Sequence, residues 1–129
     1  MENNNIDLLN KMFDRHFWNQ IKEVDSYEKL PKVFRRNNMM RENAFNSYSN
    51  KGQFFSINTK HNHYLVLLHN NGGITAMDDK VYEVGKSQIE SDLKLVYLGL
   101  SLEEVLTHSI RRKMTESDMS RLVKMIIKE

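Results

Sequence analysis

The chain has 129 residues, 28% of them charged and 40% hydrophobic, with a formal net charge of +2 and a mean hydropathy of −0.62. That is the size of a single domain, 1–129, built on one core, and it carries too much apolar residue for disorder at so small a net charge. The absence of cysteine excludes a disulfide framework, thiolate metal ligands and a cysteine nucleophile.

The amino terminus, MENNNIDLLNKMF, offers acid and amides where a signal peptide has basic charge and then an apolar stretch. The longest apolar run, Tyr64 to Leu68, is far short of the ~20 residues that span a bilayer. The expected location is therefore the cytoplasm, with no membrane partner.

Ile6, Leu9, Phe13, Phe17, Ile21 and Val24 recur at steps of three and four, which predicts one amphipathic helix over 6–24 with Asn5 as N-cap. Asp25 and Glu28 then have capping-box spacing. Pro31 fits the first turn of a second helix, continued by Val33, Phe34, Asn37, Arg41, Ala44, Phe45 and Tyr48. The period next changes to two. QFFSINT (53–59) and HYLVLLH (63–69) read as strands, and NNGG (70–73) tolerates the positive φ of hairpin turns. ITAM and KVYEV read as one bent strand or two short ones around Asp78 and Asp79.

Ser87 and Glu90 form a capping box ahead of a stripe of Ile89, Leu93, Val96 and Tyr97, stopped by Gly99. Ser101 and Glu104 repeat the box ahead of Val105, Leu106 and Ile110, and Thr115 opens a last helix with Met119, Leu122, Val123 and Ile126 inward. The expected fold class is α+β: two N-terminal helices, a 3-4-stranded antiparallel meander, then three C-terminal helices.

HNHYLVLLHNNGG (61–73) concentrates three of the five histidines. Strand alternation puts His61, His63 and His69 on one face. His61 and His63 would lie ~7 Å apart, close enough to share a metal ion, whereas His69 lies ~20 Å further along. A third ligand would have to come from His16, His108, Asp78, Asp79 or Glu83. The alternative is a set of partly solvated strand ends. The letters H-N-H resemble the nuclease family of that name only as letters, because that family disperses its residues over a ββα-metal fold. No Walker loop, G-x-G-x-x-G, G-x-S-x-G or H-E-x-x-H occurs. The balance leans away from an enzyme, and no cofactor is expected.

Charge is segregated: −2 over 1–25, +5 over 26–60, −4 over 61–110 and +3 over 111–129. In the first basic segment Lys32, Arg35, Arg36, Arg41 and Lys51 interleave with Phe34, Phe45, Tyr48, Phe54, Phe55 and several amides. Cations neutralise phosphates, aromatics stack on bases and Asn pairs with base edges, so DNA or RNA is a candidate partner. The aromatics equally suit a core, and the charged face equally suits solvent. In the second, SLEEVL with SDMSRLVKMI resembles a helix-turn-helix, with Arg111, Arg112 and Lys113 in a connection longer than usual and lacking its glycine. Met39, Met40, Met114, Met119 and Met125 add adaptable apolar surface, suited to a partner face or to a core.

In its small size and its abundance of Asn, Lys and Met the chain resembles accessory proteins of phages and mobile elements in AT-rich bacteria, among which inhibitors of host defence such as anti-CRISPR proteins are common. That resemblance implies a non-enzymatic inhibitor or regulator acting on a protein or a protein–nucleic acid complex. Asp78, Asp79 and Glu83 would then form an acidic face that mimics nucleic acid. The alternatives are a nucleic-acid-binding transcriptional regulator and a metal-dependent enzyme using His61 and His63.

Overall fold

A computed structural model describes the backbone of residues 2–36, 39–80 and 83–112, with side chains described from Ile6 onward. It is an α+β fold around a four-stranded antiparallel sheet in the order β1-β2-β3-β4. Helix α1 (Glu2–Met12) runs into one π-helical turn, Phe13–Phe17, and buries Leu9, Phe13 and Phe17. The predicted helix ends there. Ile21–Val24 is strand β1, paired with β2 (Gly52–Asn58) in the register Ile21↔Ile57 to Val24↔Phe54.

Three-residue spacing is shared by one face of a helix and by a strand buried on both sides. Ile21 and Val24 point to opposite faces of a strand, and here both faces are buried. Ile21 joins a core with Phe55, Ile57, Tyr64 and Val66, whereas Val24 joins another with Phe34, Phe45, Phe54, Leu65 and Leu67. Strand β3 (His63–His69) lies between β2 and β4 (Ile74–Asp78) and supplies alternate residues to the two cores, which is why HYLVLLH reads as an unbroken apolar run. The NNGG connection turns with Gly72 at φ +96°, closed by His69 N–H donating to Gly73 O at 2.8 Å. Of KVYEV, Val84 bridges Ala76, and residues 81 and 82 lie outside the described set.

A Cβ on Gly52 would press on the Leu68 carbonyl oxygen and lie 2.8 Å from His69 Cα, both backbone atoms of the partner strand. Gly52→Ala is therefore expected to cost about 1–3 kcal/mol of stability, read from the urea midpoint, because the ladder must shift to admit the methyl. An unchanged midpoint would contradict that register.

The second predicted helix is broken in two. α2 (Lys32–Arg35) is one turn with Pro31 at its N-cap, and α3 (Glu42–Ser49) starts after Arg41. The intervening RNNMMR contains two asparagines, a residue type of low helix propensity; residues 37 and 38 lie outside the described set. Both helices, with the 3₁₀ turn Tyr27–Lys29, cover the Val24 face.

On the other face, α4 (Lys86–Asp92) begins at Gly85 without the Ser87 box. Lys94, in the left-handed region at φ 61°, resets the helical phase before α5 (Leu95–Leu98). Leu95 is consequently buried, while Val96 and Tyr97, predicted inward, are 71% and 90% exposed. Gly99 at φ 68° ends α5, with Leu100 N–H donating to Leu95 O at 3.1 Å.

The Ser101–Glu104 box forms reciprocally, at 3.0 and 3.2 Å, and opens helix α6, residues 102–112. Glu90 accepts from Leu102 N–H at 2.8 Å, tying α4 to the start of α6. Across the sheet, Asp92 accepts from the Tyr64 hydroxyl and from Asn62 Nδ2. Burial and that carboxylate push the Tyr64 phenol up to about 12. The last predicted helix, from Thr115, lies outside the described residues.

Candidate nucleic-acid interface

The α2–α3 layer carries the first basic group. Lys32, Arg36, Arg41 and Lys51 are exposed; Arg35 is half-buried. Aromatics fix two of these cations in place. The Arg35 guanidinium sits over the Tyr27 ring at 5.8 Å, and Tyr27 is itself held by its hydroxyl to Met40 O at 3.1 Å and by Phe45 at 5.8 Å. The Lys51 ammonium sits over Tyr48 at 5.6 Å.

Among the described residues none of these five cations forms an ion pair; the pairs present are Lys29–Asp25, Lys86–Glu103 and Arg112–Asp14. Exposed Lys22, on the edge strand β1, lines the groove bordered by Trp18 and Arg112. Lys22 was missed because its segment read as a helix, and its register with Ser56 is the signal that places it.

The second basic group does not join the first. Arg111 and Arg112 are helical, the last described residues of α6, a helix that buries Leu102, Val105 and Leu106 against the opposite core. The predicted turn of a helix-turn-helix is not at these two residues. Arg112 is occupied by Asp14 and by the Trp18 ring at 5.2 Å, beside a groove of about 290 Å³ lined by Phe13, Trp18, Asn19 and Ser109. Lys113 lies outside the described residues.

Of the acidic trio, only Glu83 is exposed. Asp78 is buried and its carboxylate accepts Lys80 N–H at 2.7 Å; Asp79 is half-buried with Oδ1 sealed from solvent. A flat acidic face through all three is not what the turn presents.

The histidines separate as well. His61 is exposed and precedes β3, whereas His63 Nε2 lies 2.8 Å from Ser56 Oγ with its ring edge-on to Phe34 at 5.1 Å. His69 Nε2 pairs with Thr75 Oγ1 at 2.7 Å. Among the described residues no group of three His, Asp or Glu side chains is placed to hold a metal ion. Ser56 is 8% exposed, so its contact with His63 satisfies a buried hydroxyl and presents no nucleophile to solvent.

Burial lowers the His63 pKa from 6.5, partly offset by Asp79, and His108 is lowered by burial and then by Arg112 and Arg111. The unfolded chain binds these protons more readily. Stability present above pH 6.5 is therefore lost as pH falls from there through the folded values. The melting temperature is expected to drop from pH 7 to pH 5, less steeply in His63→Gln. A flat profile in the parent protein would contradict the burial of both rings.

No helix among the described residues is long and apolar enough to cross a membrane. No family model, curated protein or solved structure matches the chain.

Proposed function

We propose that this is a small non-enzymatic macromolecule-binding protein, a regulator or inhibitor of the phage and mobile-element accessory type. Its working surface is the basic α2–α3 layer, and its partner is nucleic acid, alone or within a protein–nucleic acid complex. The observation that carries this reading is the placement of Lys32, Arg35, Arg36, Arg41 and Lys51 in one layer with no acid paired to them among the described residues. Unpaired cations in one layer are available to phosphates, and counterion release supplies the free energy.

The test is fluorescence anisotropy with labelled DNA and RNA at 50 and 200 mM salt. Five phosphate contacts weaken binding about 100-fold over that interval for a single strand and about 500-fold for a duplex. Binding that ignores salt, or no binding at 50 mM, would remove the reading.

A second reading has its own observation. Val96 and Tyr97 project from a turn bounded by left-handed Lys94 and Gly99, an aromatic anchor of the kind that concentrates protein-binding energy. On that reading Tyr97→Ala abolishes capture of a protein partner and leaves nucleic-acid binding unchanged.

A further inference from the structure

On the same sheet face, beside α3, a groove of about 180 Å³ opens onto β3 and β4. Phe54, Leu65 and Leu67 form its floor, and Met40, Tyr48 and Met77 its walls. Resting on the reading just given, we infer that this groove takes one unpaired base, so that the polymer recognised is single-stranded.

Size sets the first constraint. The groove is smaller than the ~300 Å³ at which drug-sized ligands begin to fit, so it suits a single ring or side chain. Wall chemistry sets the second. Tyr48 is 45% exposed and offers a ring for stacking, while the methionines adapt to an inserted π-face. At the hairpin end, the His69–Thr75 pair supplies hydrogen-bonding atoms that can meet a base edge.

Charge sets the third. Arg41 adjoins Met40 at the start of α3 and Lys51 follows its end, ~15 Å further along the helix axis. Cations therefore flank the apolar floor. A strand that reaches both rims lays more than one nucleotide across the floor, and the groove has room for one of their bases. A duplex keeps its bases stacked and paired, and cannot do this without opening. An acidic peptide with one apolar residue would meet the same charges, but Asn43, Asn46, Ser47, Ser49 and Asn50 are exposed along α3 and its C-cap beside Tyr48, amides and hydroxyls that can meet base edges. Exposed Glu42 at the start of the helix repels a carboxylate as it does a phosphate.

The experiment is anisotropy of a labelled mixed-sequence single strand and its duplex at 50 and 200 mM salt, with Tyr48→Ala and Tyr48→Phe beside the parent protein. The expected result is a single-strand preference that Tyr48→Ala reduces about tenfold and that Tyr48→Phe retains. Circular dichroism melts control for folding, since Tyr48 is a surface ring. Salt-dependent binding that ignores strandedness and Tyr48 would overturn the groove assignment and leave the basic-layer reading standing. No salt-dependent binding would overturn both. If a Glu-rich peptide with one Leu bound instead and lost affinity in Tyr48→Ala, the occupant would be protein.

Discussion

Phe34→Ala is expected to cost about 3–5 kcal/mol of stability, a large share of the ~5–15 kcal/mol that holds a domain of this kind. Phe34 is fully buried among Leu30, Met40, Phe45, Phe54, Leu65 and Leu67. Helix α2 is only four residues long, so it has almost no helical stability of its own and depends on that ring to stay on the sheet. Two consequences follow beyond the lower urea midpoint. Lys32, Arg35 and Arg36 lose their fixed positions, so nucleic-acid affinity falls with stability. The His63 ring loses its edge contact and part of its burial, so its titration, followed by NMR, moves back toward the ordinary histidine value. A loss below about 1 kcal/mol would mean that the second core does not depend on Phe34.

Neutralising Arg35, Arg36 and Arg41 together to Gln is expected to weaken nucleic-acid binding about 100-fold at 0.1 M salt and to flatten the salt slope by roughly 2–3 units, at ~0.7–0.9 per phosphate contact. Stability should change little by comparison, because Arg36 and Arg41 are exposed and Gln at position 35 forfeits one guanidinium–ring contact with Tyr27, worth about 0.5–1 kcal/mol. Arg111→Gln with Arg112→Gln is the informative control. Arg112 is already committed to Asp14 and Trp18 on the opposite side of the sheet, so this pair should leave the slope unchanged. If the control flattened the slope and the triple variant did not, the interface would belong to the end of α6.

Much of this was legible in particular residues. The capping box of Ser101 and Glu104, the stop at Gly99, the NNGG turn and the strands on either side of it follow from local chemistry that tertiary context did not override. The α+β class followed from the same elements. What escaped was set by distant packing. Ile21–Val24 becomes a strand because Phe54 to Ile57 offer it a partner edge and because both faces are covered, so its apolar residues need not share one side. The outward turn of Val96 and Tyr97 depends on a single left-handed residue, Lys94, which no glycine signals.

The candidate site divides in the same way. Lys32 to Lys51 were readable as one basic stretch because they are close in sequence. That Arg112 would be spent on Asp14, 98 residues away, was not readable. Nor was the withdrawal of Asp78 into its own turn.

The most direct measurement is a two-dimensional ¹H–¹⁵N NMR titration of the protein with a short single strand at 50 mM salt. Amide shifts are expected to concentrate at residues 32–36 and 41–51, with Leu67, Thr75 and Met77 responding from beneath the groove. Shifts confined to Trp18, Arg111 and Arg112, or none at saturating oligonucleotide, would contradict the assignment of the α2–α3 layer as the working surface.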